Sequence, residues 1–440
     1  MSSKKKTTAP QEDGGPELVP KLRFPAFRGA KGWTPKAGGL LFDQLSDRNP
    51  EPGLPVLAIT QEHGAIPRHM IDYHVSVTEK SIESYKVVRV GDFIISLRSF
   101  QGGIEYSCYH GVCSPAYVIL RRRGEGSDDY FRHYLKTDRF IRILTRNLEG
   151  LRDGKMISYA QFSELMLPIP KFAEQQKIAE CLSSVDELMA AQARKVDALK
   201  TQKKGLMQQL FPRKGETQPR LRFPEFQKAG EWNITTVGGL VEEGCLFPPK
   251  DGNHGNIHPK SADYVAKGIP FIMASDINGG LINIDNCHFI SKEQADSLQK
   301  GFAKEGDVLL SHKGTVGEVA VVRKMNTPYL MLTPQVTYYR VKNQKKLSND
   351  FLAQLFVADE FQANLVEVSG GGTRAYIGIT EQAKLRLQFP KDIEEQQRIA
   401  SCLSCLDALI TAESQKFEAL KTHKNGLMQQ LFPSSEGSEA

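Results

Sequence analysis

The chain has 440 residues, of which 40% are hydrophobic and 25% are charged. This length is too great for one ordinary core, so we expect a folded protein with two domains and connecting elements. The net charge of +6 permits a phosphate-bearing partner but excludes a histone-like protein that binds by charge alone. The seven cysteines, an odd number at low density, exclude a disulfide scaffold.

Residues 1–20 are predicted to be a loose tail, because the lysines near the start are not followed by an apolar segment. Residues 434–440 form a second predicted tail. Nowhere in the chain do about eighteen apolar residues run together, so no membrane span is expected. We therefore expect a cytoplasmic protein.

Residues 21–170 are predicted to form a mixed α/β domain. It opens with the letters LRFPAF at Leu22, followed by Trp33. The segment GDFIIS, which ends at Ser96, indicates a turn and a strand. A helix is expected from about Asp128 to Asn147. This segment is the first of two similar heads.

The second head, residues 213–391, repeats these features. LRFPEF begins at Leu221 and is followed by Trp232, and GDVLLS ends at Ser311. Ser348 is placed to cap a helix that carries apolar residues. The second head is therefore a diverged copy of the first.

Residues 171–212 and 392–433 are predicted to be long helices. Both contain the letters EQQ, followed by a base and then by IA, and both end in GLMQQLFP. Their apolar residues alternate in spacings of four and three, which is typical of a heptad seam. The seam residues are Ile178, Leu182, Val185, Met189, Val196, Leu199, Leu206 and Leu210 in the first helix, and Ile399, Leu403, Leu406, Ile410, Phe417, Leu420, Leu427 and Leu431 in the second.

The polar seam positions Gln192, Lys203, Glu413 and Lys424 fall at matching places and would help to fix register. After Pro212 only a short linker precedes the second LRFP, and about eight residues span at most about 28 Å. The second head must then begin where the first helix ends, and its own helix must return antiparallel. We predict a two-helix coiled coil with one head at each end, related by a pseudo-two-fold axis. The alternative is one buried helix face in a globular core.

The chain lacks the common signatures of DNA-modifying enzymes. The string nearest to a methyltransferase tetrapeptide, FPPK at Phe247, lacks the required Asn or Asp, and neither GxGxxG after a strand nor GxxxxGK[ST] occurs. Asp153 and Lys155 could imitate a nuclease pair, but the aligned positions of the second copy are Arg374 and Tyr376. We predict no catalytic residue in this chain.

No metal site is predicted either. Cys402 and Cys405 form a CxxC inside a helical repeat with no second pair nearby. His63, His69 and His74 lack ligand-like spacing.

The duplicated order of LRFPxF, Trp, GDxxxS, the EQQ segment and GLMQQLFP resembles the specificity subunit of type I restriction-modification systems, from Lys21 to Pro433. The resemblance implies two target recognition domains that each read half of a split DNA site, with a spacer set by the antiparallel helices. It implies double-stranded DNA, two methyltransferase subunits and two restriction subunits, which carry the motor and the nuclease, as partners. It implies no cofactor on this chain, and S-adenosylmethionine, ATP and Mg²⁺ in the partner subunits, for adenine methylation and ATP-dependent cleavage.

Base reading needs polar side chains on projecting elements, whereas phosphates are bound by cations and free backbone amides. The loops after the GDxxxS strands are predicted to read bases; their residues are Arg98, Ser99 and Gln101, and Lys313, Gly314 and Thr315. Two glycine-containing loops are predicted to hold phosphates; their residues are Arg152 and Lys155, and Gly372, Thr373 and Arg374. The alternative for each is a solvated cation or a turn glycine. The run from Arg121 to Arg123 is predicted to be a positioning patch or a solvated strand end.

Three other functions remain open at this point. The first is the specificity subunit of a methylation-only or type IIB-like system. The second is a self-contained DNA-modifying enzyme. The third is a coiled-coil scaffold whose heads bind protein, which a steep loss of binding with rising salt would separate from DNA recognition.

Overall fold

The computed structural model describes residues 18–71, 84–146, 157–369 and 376–433. The chain divides into two compact units, of which the first comprises Met1–Gln192 with Lys416–Ala440 and the second Ala193–Gln415. The boundary crosses both long helices. Each unit therefore contains one head and a part of each helix.

Short helices belong to the heads, and two long ones belong to both units. The first head contains α1 (Gly38–Leu41), α2 (Ser99–Gly102), α3 (Asp128–Tyr134), α4 (Asp138–Arg146) and α5 (Tyr159–Ser163), and it is followed by α6 (Phe172–Leu210). The second head contains α7 (Val237–Glu242), α8 (Lys292–Ser297), α9 (Asn349–Val357), α10 (Asp359–Val368) and α11 (Ile379–Gln382), and it is followed by α12 (Ile393–Leu431). No described helix is long and apolar enough to cross a membrane.

The first head is built on an antiparallel sheet. Its strands are β1 (Thr34–Ala37), β2 (Phe42–Leu45), β3 (Leu57–Thr60), β4 (Gly64–Pro67), β5 (Lys86–Val88), β6 (Phe93–Ile95), β7 (Glu105–Tyr106), β8 (Gly111–Cys113), β9 (Val118–Arg122) and β10 (Met166–Ile169). The main sheet has the order β2-β9-β6-β7. The pairs β1–β10, β3–β4 and β5–β8 are antiparallel as well.

The second head contains a similar four-stranded sheet and a further five-stranded one. Its strands are β11 (Asn233–Thr236), β12 (Lys250–Asp251), β13 (Tyr264–Val265), β14 (Ile269–Ile272), β15 (Ile277–Asn278), β16 (Leu281–Ile282), β17 (His288–Ile290), β18 (Phe302–Ala303), β19 (Val308–Lys313), β20 (Thr315–Val321), β21 (Leu330–Leu332), β22 (Val336–Tyr339) and β23 (Arg386–Phe389). The sheets have the orders β12-β22-β19-β20 and β13-β17-β14-β21-β18, and β11 pairs with β23.

The GDxxxS segment forms the central strand of the main sheet in each head. Gly91 and Gly306 have φ values of 96° and 86°, which a side chain would strain, and each begins the turn into the strand. Alternate residues of β6 then face opposite sides: Phe93 joins the core beneath the helices, whereas Ile94 joins a second cluster. Both faces of this strand are therefore buried, which explains its continuous apolar run.

A buried ion pair joins the start of each unit to the long helix that follows its head. The Arg23 guanidinium donates to both carboxylate oxygens of Glu174, at 2.7 and 2.8 Å. Arg222 donates to Glu395 at 2.7 Å in both bonds. In each pair both side chains are at least nine-tenths buried. The repeated letters LRFP and EQQ are thus partners in one contact.

The GLMQQLFP segments complete the aromatic cores. The Phe432 ring lies 6.4 Å from Trp33 in the first unit, and the Phe211 ring lies 6.0 Å from Trp232 in the second. Each unit thus takes this phenylalanine from the long helix that ends in it. Both GLMQQLFP segments therefore fill the same kind of site beside a tryptophan.

The two long helices pair in opposite directions in the second unit, and a matching ion pair joins them in the first. In the second unit Lys195 contacts Glu413 at 2.9 Å, and further along α6, Lys203 contacts Asp407 at 2.6 Å, which lies earlier on α12. In the first unit Lys424 contacts Asp186 at 2.6 Å. The apolar residues predicted for the seam are all buried or half-buried. The predicted fold class, two mixed α/β heads with long antiparallel helices, is confirmed.

Candidate nucleic-acid interface

The loop after β6 presents two of its three predicted base-reading residues to solvent. Arg98 and Gln101 are exposed at the start and inside the short helix α2. Ser99 is only 1% exposed, and its hydroxyl oxygen accepts a hydrogen bond from the Ser96 amide at 2.9 Å. This placement does not support the expectation that Ser99 reads a base, because its hydroxyl holds the turn.

The corresponding element of the second head is a β-hairpin. Lys313 and Thr315 pair across the tip, and Gly314 between them has a φ of 81°. All three residues are exposed. The Lys313 ammonium lies 5.9 Å from the centre of the Tyr376 ring. Such a narrow projecting ribbon has the dimensions that enter a DNA major groove.

The predicted phosphate loops, with Arg152 and Lys155 in the first head and Gly372, Thr373 and Arg374 in the second, lie outside the described residues. Tyr376, which closely follows the second of these loops, forms an antiparallel bridge with Lys313. This bridge brings one flank of the loop to the hairpin tip. Tyr376, the first described residue after this loop, therefore contacts the hairpin tip.

A buried histidine network supports the hairpin, and the sequence pattern did not single it out. His312 is fully buried directly before Lys313, and its Nδ1 lies 2.7 Å from both the Thr337 hydroxyl and the Gln382 amide nitrogen. Nε2 lies 3.0 Å from the Pro334 carbonyl oxygen. Burial lowers the pKa of His312 to about 4, so the ring is neutral at pH 7. The one sequence signal for this network is the position of His312 in the strand, which places its side chain on the inward face.

The three consecutive arginines of β9 and its end are all engaged inside the first head. Each contacts a carboxylate; the pairs are Arg121 with Asp92, Arg122 with Asp128, and Arg123 with Asp43. The equivalent of the first pair in the second head joins Arg340 to Asp307 at 2.7 Å. The GDxxxS aspartate is therefore a structural residue. The three arginines are paired inside the head, although Arg123 at the strand end is 54% exposed, so the prediction of a positioning patch or a solvated strand end stays a prediction.

Metal ligands do not cluster in the part of the chain that the structure describes, where no group of three or more His, Cys, Asp or Glu side chains could hold an ion. His63 and His69 are exposed, and His74 lies outside the described residues. Cys402 and Cys405 are free thiols, half-buried and exposed respectively.

The family described as type I restriction modification DNA specificity domain matches residues 43–201 and 231–422. The chain belongs to this family. The matched regions cover both copies of the repeat, so the predicted resemblance to a specificity subunit is confirmed. A specificity subunit recognises the DNA on which its restriction-modification system acts.

Named relatives agree with this assignment. The chain is 22% identical over 367 residues to the type I restriction enzyme MjaVIII specificity subunit of Methanocaldococcus jannaschii, which covers 81% of each chain. It is 23% identical over 187 residues to the EcoBI specificity subunit of Escherichia coli, and this match covers 39% of this chain and 37% of that one.

The fold is similar to that of solved specificity subunits. The S subunit of the type I restriction-modification system from M. genitalium has a TM-score of 0.58 at 16% identity, with coverage of 95% of this chain and 100% of that one. A chain from a study of complex assembly in the type I system has a TM-score of 0.52 at 17% identity, with coverage of 92% and 98%. At these identities the likeness shows the fold alone.

Proposed function

We propose that this specificity subunit recognises a split, asymmetric DNA site, with one half read by each head. The proposal rests on the segments that follow the central strand in the two heads, here called the tips. They are built differently on one repeated framework. The exposed Arg98 and Gln101 stand on a helical turn, whereas Lys313 and Thr315 stand on a hairpin. Different donor arrangements favour different base edges, so the two half-sites should differ in sequence.

The coiled coil sets the distance between the half-sites in this proposal. The aligned ion pairs Lys203–Asp407 and Lys424–Asp186 support it, because they would hold one register between the helices. A slip of the helices would separate both pairs. The spacer of the DNA site should therefore have a single length.

We further propose that the subunit directs two methyltransferase subunits and two restriction subunits to the site and contributes no catalytic residue itself. S-adenosylmethionine, ATP and Mg²⁺ would be held by these partners, and the complex would methylate adenine and cleave DNA with ATP. For docking, the helices offer a large apolar residue that is repeated, exposed and outside the seam. Leu188 is 56% exposed, and its aligned residue Leu409 is 45% exposed. Two copies of one partner could dock on two such matched sites.

Co-expression with the cognate methyltransferase, followed by mapping of modified adenines, tests the split site. We expect a non-palindromic motif of two parts with a fixed spacer. Replacing residues 21–170 with the first head of another specificity subunit should change one half only. A palindromic or continuous motif would contradict the proposal.

The spacer is tested by lengthening both helices. Seven residues inserted between Gln192 and Ala193, together with seven between Gln415 and Lys416, add about 10 Å to the coil. The mapped spacer should lengthen by about three base pairs while both halves stay the same. Insertion in one helix alone is the control, because it breaks the pairing and should abolish methylation. An unchanged spacer after the double insertion would exclude the coil as the ruler.

Docking is tested by Leu188→Lys and Leu409→Lys. Each substitution should remove one methyltransferase copy from the complex in native mass spectrometry, and both together should remove two, because a charge replaces a buried apolar contact. Glu187→Lys, on the neighbouring exposed position, is the control and should leave the complex intact. Full retention of both copies in the double variant would place the docking sites elsewhere.

A further inference from the structure

A large groove lies in the first unit, beside the loop that is proposed to read bases. Its volume is about 1160 Å³, and its walls come from the β3–β4 hairpin, from α3 and α4, and from the last turns of α12. The Gln61 amide nitrogen donates to the Arg98 carbonyl oxygen at 3.3 Å, and Lys136 donates to the Gly102 carbonyl oxygen at 3.0 Å. The groove wall and the loop are thus connected directly.

Positive charge dominates the groove. Its cations are Lys21, Arg132, Lys136, Arg139, Arg142 and Lys424. Its carboxylates are Glu62, Glu105, Asp138 and Asp186. Burial raises the pKa of Glu105 to about 7 although Lys136 contacts it, and Lys424 is paired with Asp186. The arginines of α3 and α4 are therefore the main source of unbalanced charge.

Arg139 carries the clearest sign of a missing ligand. Its Nε and Nη1 atoms are buried and have no hydrogen-bond partner. A buried guanidinium nitrogen without an acceptor destabilises the folded state, because it loses the hydrogen bonds that it makes to water in the unfolded chain. Arg139 also lines the groove, and its planar guanidinium has the geometry that binds the oxygens of a phosphate.

The second unit lacks this charge at the aligned positions. Helices α9 and α10 begin at residues that match the starts of α3 and α4, and both pairs follow a serine N-cap. Where the first unit has Arg132, Lys136, Arg139 and Arg142, the second has Ala353, Val357, Glu360 and Ala363. The basic groove thus belongs to one head and is not part of the common framework.

We infer that this groove binds backbone phosphates of the DNA duplex beside the half-site of the first head, and that the second head has no counterpart. The inference rests on the proposed recognition of DNA. The loop with Arg98 and Gln101 would reach base edges while Arg139 and Arg142 hold the neighbouring sugar-phosphate strand. Phosphate contacts fix position without reading sequence. The first head would therefore supply more of the salt-dependent affinity than the second.

The test uses the complex with its methyltransferase and two probes of about thirty base pairs, one with the mapped motif and one of unrelated sequence. Arg139→Gln with Arg142→Gln should weaken binding to both probes about 10- to 100-fold at low salt. It should also make the log–log salt slope shallower by about 2, because two phosphate contacts are lost. The mapped motif should stay the same.

Two matched variants accompany the measurement. Arg28→Gln with Lys31→Gln removes the same charge from exposed positions outside the groove and should leave the slope unchanged. Arg139→Lys with Arg142→Lys keeps the charge and should restore most of the slope. In the unaltered complex, amides of residues 138–146 should gain protection from hydrogen exchange when either probe is added.

An unchanged slope in an assembled double glutamine variant would overturn the inference. Loss of methyltransferase from that variant without a change in slope would assign the groove to a protein partner and would overturn it too, as would unchanged exchange on adding DNA. The proposed function fails separately, if the unaltered complex does not prefer the mapped motif. The inference about the groove is tested by the salt slope measured with the unrelated probe, because binding to that probe does not require a preference for the mapped motif.

Discussion

The two units share the ion pair that joins each head to its long helix, and they differ in the element that follows the central strand. Arg23 binds Glu174 in the first unit as Arg222 binds Glu395 in the second. After the central strand, however, α2 follows β6, whereas β19 turns directly into β20. Residues that pack between distant segments are constrained by each other, whereas exposed tips have no such constraint. A duplicated recognition protein can therefore change what it reads without changing how it folds.

The largest effect is expected from the shared ion pair. Arg23→Ala should destabilise the first unit, and Arg222→Ala the second, each by about 3–5 kcal/mol, because a buried glutamate loses its partner. The chain has two tryptophans, Trp33 and Trp232, one in each unit. Urea unfolding can therefore be followed for one unit at a time after Trp232→Phe or Trp33→Phe.

Arg23→Met with Glu174→Leu is the control for this pair. It should cost less than Arg23→Ala, since it leaves no buried charge without a partner. If the free energy of unfolding fell by less than about 1 kcal/mol in both alanine variants, the repeated ion pair would not be a main source of stability in the units.

Acid should destabilise the second unit through His312. Its pKa is lowered from 6.5 to about 4 by burial, so the folded state binds the proton less readily than the unfolded state. This contribution to stability is complete above pH 6.5 and is lost as pH falls towards 4, by about 3 kcal/mol. Urea midpoints at several pH values, read from Trp232, measure it.

His312→Leu should be less stable at pH 7, because Thr337 and Gln382 lose a partner, but it should lack this part of the acid dependence. If the urea midpoints of the variant and of the unaltered protein changed with pH in parallel, His312 would not be a buried neutral ring. The first unit has its own such group, since burial and Lys424 lower the pKa of His133 to about 4. His312→Leu should leave the Trp33 signal unchanged.

Substitutions at the tips should separate the half-sites. Arg98→Ala should relax base preference in one half only, and Lys313→Ala in the other, by about 1–3 kcal/mol for each lost contact. Methylation of DNA libraries with each half randomised in turn measures this effect. Ser99→Ala is the control: it should lower stability by about 0.5–1.5 kcal/mol without changing the motif. A change in both halves from either tip variant would refute the division between the heads.

The smallest effect is expected in the coil. Lys203→Glu and Lys424→Glu place like charges beside Asp407 and Asp186, and each should cost about 1 kcal/mol in its own unit. Lys203→Asp with Asp407→Lys should recover most of this loss, since the attraction returns. Thermal unfolding of the three variants gives the comparison. Failure of the reversed pair to recover stability would show that this contact does not help to fix register.

Much of the architecture could be predicted from the sequence, because repeated segments and heptad spacings are visible along the chain itself. The offset between the GLMQQLFP copies revealed two units, and spacings of four and three predicted the helices that are observed as Phe172–Leu210 and Ile393–Leu431. The GDxxxS segments correctly predicted a turn and a strand in each head. The duplicated order of motifs also identified the family.

Only the tertiary structure decided what individual polar side chains do. Ser99 is a polar residue in an exposed loop, yet its side chain is buried. Arg121 and Arg123 are held by Asp92 and Asp43, which lie 29 and 80 residues away in the sequence. Arg139 gains its significance from a groove built by segments at both ends of the chain. Whether a polar group faces DNA or a partner inside the head depends on which distant residues meet it, and spacing along the chain does not contain that information.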